Sequence, residues 1–424
     1  MASTRIASIT ARQIYSDRGH PGVRATVTTE SGASASAEVT AGTSVGKYEV
    51  QFAYDEDDTR FGGRGVGRAV HNIEQVIAPA IIGMDATDQA GVDGAMIALD
   101  GTPDKTRLGG NAIAAVSAAV LQAAAKSVGL PLYRYIGGMN ACLMPVPGVL
   151  VSTGARRYGG GAHSGSKPTY ALMCYGFDSF GAASYAAWEV EKVYRRLLFE
   201  RLGVDAVSRP TPPIISPGVV QHDRELWSLM TEAIDTAGYE GRIGIQVDVA
   251  AGTYYDEEKE RYIGLFSAED KTRDEMIALF QEAVRQYPFV IIEDPLDEDD
   301  FEGHAILART LGIAVVGDDL FTTNLERVRH GIALGAANTV LLKVNQIGSI
   351  TEAFDMVRYA HRHGYGVMPC NSRGEGVVIA DYTVGLGCGH LREGATGPVG
   401  NRFLEIEEEL GSRAEFAGRR GFKP

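Results

Sequence analysis

Apolar and polar residues alternate along the first forty positions, then change period. The stretches "RIASITARQIYS", "GVRATVTTE" and "SASAEVT" place apolar side chains at every second residue and predict three strands. "GRAVHNIEQVIAPAII" and "NAIAAVSAAVLQAAAKSVG" place them at helical spacing. Strands followed by helices predict an α+β unit over residues 1–140. Residues 141–424 read differently. "IGIQVDVA", "PFVIIEDP", "IAVVGDDL" and "NTVLLKVNQ" are short continuous apolar runs of the kind buried on both faces of a parallel sheet, and "YGVMPCN" is a fifth. Amphipathic segments stand between them: "DEMIALFQEAVRQY", "EGHAILARTLG", "LERVRHGIALGA" and "ITEAFDMVRYAHRHG". From Glu293 to Asp318 is 25 residues and from Asp318 to Lys343 another 25, room for one strand, one helix and two short loops. The expected fold class is therefore α/β: a (β/α)8 TIM-type barrel over 141–424 behind an N-terminal α+β cap.

Composition narrows the function. The chain has 424 residues, 45% hydrophobic and 22% charged, enough for a substantial core. Its net charge of −14 works against nucleic-acid binding, which needs a basic stripe to neutralise phosphates. No apolar run reaches the roughly eighteen residues of a membrane span, and the first twenty residues lack a secretory apolar segment, so a cytoplasmic protein with no membrane partner is expected. Cys142, Cys174, Cys370 and Cys388 are widely spaced and form no metal or disulfide motif.

Two glycine-rich stretches invite phosphate-binding readings. Gly42-Thr-Ser-Val-Gly46-Lys47 has one residue too few between its glycines for a P-loop, and Tyr48 follows the lysine. "FGGRGVGRAV" lacks the preceding strand of a dinucleotide fingerprint and reads as a loop entering a helix.

The candidate chemistry lies at the strand ends. A barrel of this kind carries its reactive groups at the C-terminal ends of its strands, where Asp248, Glu293, Asp318 and Lys343 fall. Three converging carboxylates repel one another unless a hard cation neutralises them, and oxygen ligands suit Mg2+. Asp248, Glu293 and Asp318 are the candidate ligands. Asp294 and Asp319 are expected to orient their neighbours. A lysine beside such a cation has its ammonium form disfavoured, which makes Lys343 the candidate general base.

Taken together, "IIEDP", "GDDL", "LLKVNQIGS", "GGAHSG", "SDRGHP" and "EIEEELG" resemble the enolase motifs "SIEDP", "GDDL", "LLKVNQIGS", "GGSHAG", "DSRGNP" and "RIEEELG", in order, over residues 5–411. The resemblance implies a barrel with an α+β cap, Mg2+ as cofactor, and abstraction by Lys343 of the proton α to the carboxylate of a 2-phosphoglycerate-like acid. It implies for "AGTSVGKYE" the role of the family's closing loop, with Ser44 reaching substrate and a second metal. His163 of "GGAHSG" is implied as a substrate contact.

The chain also departs from the family's pattern. The family expels the hydroxyl with a glutamate in "GDEGGF" and has a second glutamate nearby in "QEFM"; Pro212 and Leu172 stand at those places here. The family's "SHRSGE", which supplies a histidine, a phosphate-binding arginine and a serine, is "CNSRGE" here, so the resemblance implies Asn371, Ser372 and Arg373 as substrate contacts, with Asn371 in place of the histidine and Arg373 displaced by one position. Arg392, implied as a further substrate contact, replaces a lysine, and Arg24 an acid whose partner in the family's dimer comes from a region that is shorter here. A lost general acid typically costs about 10²- to 10⁴-fold.

These readings converge on a Mg-dependent lyase acting on a small carboxylate that bears phosphate or phosphonate, with the carboxyphosphonoenolpyruvate-forming enolase relative as a precedent. An apolar pocket from Leu172, Pro212, Pro213 and Ile214 would suit such a substrate. The alternatives are a non-catalytic binding protein, and an ordinary phosphopyruvate hydratase using Asp205, His222 or Cys174 as substitute acid. A homodimer or higher oligomer is expected.

Overall fold

The computed structural model describes residues 3–42, 45–161, 164–165, 167–207 and 211–423. The predicted alternation at the N-terminus forms an antiparallel three-stranded sheet, Ile6–Tyr15, Pro21–Thr29 and Ser34–Thr40, in that order. Its buried face carries Ile6, Ile9, Val23, Ala25, Val27, Ala37 and Val39. Helix Gly110–Ser127 packs against this face and also meets elements of the barrel, which explains an alanine-rich sequence that is apolar nearly all round. The segment read as one helix after "FGGRGV" is interrupted: Gly67–Asn72 and Ala78–Ile81 flank a wide π-turn, Ile73–Ile77. Asp55 caps its start, accepting from the N–H groups of Gly67 and Arg68 at 3.1 and 2.7 Å.

Eight strands form the barrel: in chain order Val146–Ser152, Thr169–Cys174, Ile243–Asp248, Phe289–Glu293, Ala314–Gly317, Thr339–Leu342, Gly366–Pro369 and His390–Leu391. The hydrogen-bonded order runs from the seventh strand down through the sixth, fifth, fourth, third and second to the first, then the eighth. The seventh and eighth lie against each other, leaving the ring nearly closed. The βα repeat is set by its caps. Thr272 forms a capping box with Glu275, and Asp300, Asn324 and Ser349 each accept from the first turn of the helices Phe301–Thr310, Leu325–Leu334 and Ile350–Arg362.

One strand breaks the repeat. The second strand pairs antiparallel with both the first and the third, whereas every other pairing in the ring is parallel. Thr169 therefore lies opposite Asp248 at the mouth and Cys174 opposite Ile243 at the far end. Inside the barrel Val146, Met173, Val290, Ile291, Val316, Leu341 and Met368 close the floor, together with Ala417 and Phe422 of the C-terminal segment. Among the described residues no single helix is long and apolar enough to cross a membrane.

Candidate active site

The barrel directs four chemically active side chains to one end. Asp248 and Glu293 end the third and fourth strands and face each other in register. Asp318 and Lys343 directly follow the fifth and sixth. All four are buried. Glu293, Asp294 and Asp318 each bring an oxygen within 4.8 Å of the others.

Asp294 has a different local task from its neighbours. It adopts a left-handed backbone, φ 44°, and its carboxylate accepts from the N–H groups of Asp318, Asp319 and Leu320 at 3.0, 2.8 and 3.4 Å. It thereby fixes the turn that presents Asp318. Asp319, expected to act likewise, has a buried Oδ1 with no hydrogen-bond partner among the described residues.

Opposed charges hold the acids. Lys343 Nζ donates to Asp318 Oδ2, and Gln346 Nε2 donates to Asp318 Oδ1 at 2.7 Å. Asp248 Oδ2 accepts from both Lys167 Nζ and Arg392 Nη1, and Arg392 also approaches Glu293 at 3.6 Å. The tight acidic group thus contains Asp294, while Asp248, named from its strand position, is paired with two cations, one of which, Arg392, it shares with Glu293. Glu293 Oε2 accepts from Gln246 at 3.2 Å, but its buried Oε1 has no hydrogen-bond partner among the described residues.

The titration behaviour follows. Burial, then the Asp248 charge, pushes the Glu293 carboxyl up to about 8, against the opposing pull of Arg392. Burial also works to raise Asp318, but the charges of Lys343 and Arg373 and hydrogen bonds from Lys343 and Gln346 bring it down to about 2. The expected weakening of the Lys343 ammonium is reversed here: burial works to lower it, but the Asp318 charge leaves it above the ordinary lysine value. Buried carboxylates on neighbouring strands, with Glu293 Oε1 lacking a hydrogen bond among the described residues, fit a hard divalent cation such as Mg2+, while Asp294, whose oxygens accept from backbone N–H groups, positions Asp318.

The other residues named from the sequence divide. Ser44 and His163 lie outside the described residues. Arg373, expected near an anion, is committed to a buried ion pair with Glu49. Asn371 and Ser372 are half-buried at the end of the seventh strand; Ser372 Oγ takes a hydrogen bond from Cys370 Sγ at 3.2 Å, and its carbonyl one from Arg18 at 2.8 Å. Arg392 lies inside the cluster, also donating to Cys370 Sγ at 3.1 Å. Arg24, standing where the family has an acid, pairs with Glu38 on the next strand of its own sheet.

The expected apolar pocket does not assemble. Leu172 belongs to the outer core with Tyr170, Cys174 and Ile245, since side chains alternate along the strand and Met173 is the one that points inward. Ile214 is 61% exposed. The substitute acids also lie elsewhere: Cys174 is buried at the far end of its strand, His222 stacks edge-on against Trp227, and Asp205 is exposed.

Three residues of the site were missed by the strand-end rule. Gln346 and Glu49 join barrel and cap: Gln346 contacts Asp318 and Glu49, and its carbonyl accepts from Val50 N–H at 3.0 Å. The third, Lys167, precedes the antiparallel strand. Beside these, the loop that follows Gly42 is fastened at its far end. Lys47 N–H donates to Glu298 at 3.2 Å, Tyr48 Oη to Asp299 at 2.7 Å, and the Arg327 guanidinium lies 3.7 Å above the Tyr48 ring.

Comparison with known proteins agrees with this architecture. Residues 6–136 match the family model described as the enolase N-terminal domain, and residues 142–424 the enolase C-terminal TIM barrel domain. The chain is 44% identical over 432 residues to an enolase of Methanopyrus kandleri, covering 99% of each chain. It is 40% identical over 426 residues to that of Methanocaldococcus jannaschii, covering 98% of this chain and 97% of the relative. An enolase of Bifidobacterium longum is also 40% identical, over 432 residues, with 99% and 98% covered.

Proposed function

The chain belongs to the enolase family of carbon–oxygen lyases, and from that premise we propose that it is a Mg2+-dependent lyase for a small phosphorylated or phosphonylated carboxylate, with Lys343 as the base. The observation that carries this reading is the placement of Lys343 on Asp318, beside Glu293, within one buried mouth. Asp248, Glu293 and Asp318 would hold the ion, which supplies positive charge against a substrate carboxylate when bound. Lys343 Nζ takes the proton from the carbon α to that carboxylate, and the C–H electron pair moves into the carboxylate. The β carbon–oxygen bond then breaks, its electron pair leaves with the oxygen, and a carbon–carbon double bond forms. Gln346 and Thr323 hold the base's surroundings: Thr323 Oγ1 donates to Gln346 at 2.7 Å and accepts from Lys343 N–H at 3.0 Å. Burial of the whole group excludes water from the proton transfer.

Pro212 and Leu172, standing at the family's two glutamate positions, support a changed substrate, with formation of a carboxyphosphonoenolpyruvate-like product as one candidate reaction. Ordinary phosphopyruvate hydratase activity is the second reading, favoured by 44% identity along the whole chain. The test is to supply 2-phosphoglycerate and, separately, a phosphonate isostere with Mg2+ and to follow the enol product by phosphorus NMR. Faster product formation from the isostere supports the changed substrate; phosphoenolpyruvate formed rapidly from 2-phosphoglycerate and no product from the isostere establishes the ordinary hydratase. No product from either contradicts both readings.

A further inference from the structure

Reversal of the second barrel strand carries a consequence for the mouth. In a parallel strand the C-terminal end supplies reactive groups, but here the beginning of the strand does, because Thr169 pairs with Asp248. Lys167 lies two residues before Thr169, and its amine donates to Asp248 Oδ2. Its side chain is 11% exposed. The backbone at this point is held in place: Tyr254 Oη donates to the Lys167 carbonyl at 2.6 Å, and Gly154 packs so closely that an added Cβ would lie 2.4 Å from the Lys167 carbonyl carbon.

The ring order makes Lys167 the counterpart of Lys343. From the sixth strand, which leads to Lys343, to the second strand, which follows Lys167, is four steps in either direction around the eight strands. The two amines therefore enter the mouth from opposite walls, one on Asp318 and the other on Asp248, with Glu293 on the strand between those two acids. An elimination needs two such poles: one removes the α-proton, and the other meets the negative charge on the departing oxygen. Neither Pro212 nor Leu172 can serve at the second pole. Arg392 reaches the same Asp248 oxygen, but its guanidinium is also engaged by Glu293 and Cys370.

Resting on the lyase reading above, we propose that Lys167 is the catalytic residue that faces the leaving group. The α-proton passes to Lys343 Nζ, the β carbon–oxygen bond breaks with its electron pair on oxygen, and the Lys167 ammonium donates to that oxygen. Hydroxide departs with its charge held by the Lys167 ammonium, which keeps its own proton, and the proton that Lys343 then releases to solvent completes the water, so that atoms and charge balance.

The test uses the full-length protein with Mg2+ and 2-phosphoglycerate in D2O. Two rates are read: exchange of the α-proton and formation of phosphoenolpyruvate. The expected result is that K167M exchanges within about threefold of the unmodified protein but eliminates about 10²-fold or more slowly, and that K167R, which keeps the charge, recovers at least tenfold of that loss. Melting temperatures are measured alongside, and K167Q replaces K167M if the latter does not fold. Elimination by K167M within threefold of the unmodified protein overturns the assignment. So does an equal loss of exchange and elimination, or a K167R rate no better than that of K167M. Absence of exchange in the unmodified protein with 2-phosphoglycerate and also with its phosphonate isostere overturns the lyase reading itself, and this assignment with it; exchange of either compound separates the two failures, and the variants are then compared on the one that exchanges.

Discussion

Glu49 and Arg373 meet in a two-point ion pair whose side chains are each 2% exposed, joining the cap's loop to the turn after the seventh barrel strand. Glu49 also accepts from the Gly46 N–H at 3.0 Å and from Gln346 at 3.4 Å, so one carboxylate ties the glycine loop, the base's helix and the barrel mouth together. Breaking such a pair from one side removes the closest counter-charge of a buried ion, which costs more than the pair contributes. Glu49→Gln is expected to lower stability by about 3–5 kcal/mol in urea unfolding. Glu49→Met with Arg373→Met is expected to be less destabilised than Glu49→Met alone; a double variant as unstable as the sum of its parts contradicts the coupling.

Asp223 holds the segment that leads to Lys167. Its carboxylate accepts from Arg157 Nε and Nη2 at 2.9 and 2.6 Å, from Tyr158 Oη at 2.7 Å and from Tyr170 Oη, while Trp227 Nε1 donates to Tyr170 Oη at 2.9 Å. Asp223→Asn keeps the shape but removes the charge facing Arg157, and is expected to cost about 3 kcal/mol or more. Urea denaturation checks this, and a loss below about 1 kcal/mol contradicts the reading of the network as a clamp.

An acid limb of the stability profile is expected from His390. The ring is fully buried, Nδ1 lies 2.9 Å from the Gly421 carbonyl, and burial pushes it down to about 4. A free histidine titrates near 6.5, so between about 6.5 and 4 the unfolded chain binds more protons than the folded one. Stability is therefore full above about pH 6.5 and falls as the pH drops toward 4, by about 3 kcal/mol from this group. His304 and His361 are lowered by burial too and act in the same direction. His390→Gln is expected to flatten the slope over that window in urea unfolding at stepped pH; an unchanged slope contradicts the assignment.

How much of this was legible depends on which element carries each group. Asp248, Glu293, Asp318 and Lys343 could be read because parallel strands of a barrel are continuous apolar runs whose last polar residue marks the mouth. The cap's strands could be read as well, since one face is buried and the alternation is clean. Lys167 could not: it stands before its strand, and nothing in "KPTYALMC" announces that the strand runs backwards. Leu172 and Cys174 are named from the resemblance and from their chemistry, with no strand behind them; the pleat turns Leu172 to the outer core, and the strand's direction puts Cys174 at the far end. Glu49 and Arg373 pair across 324 positions, a contact that no local pattern encodes.

The central claim is that Lys343 removes a proton beside a carboxylate held at this acidic mouth. Proton NMR of the 2-phosphoglycerate α-hydrogen in D2O tests it most directly. The account predicts exchange that requires Mg2+, stops on addition of EDTA, and falls by about 10²- to 10⁴-fold in Lys343→Ala. Exchange that continues undiminished in Lys343→Ala, or that is missing from the unmodified protein with Mg2+ for both 2-phosphoglycerate and its phosphonate isostere, contradicts it.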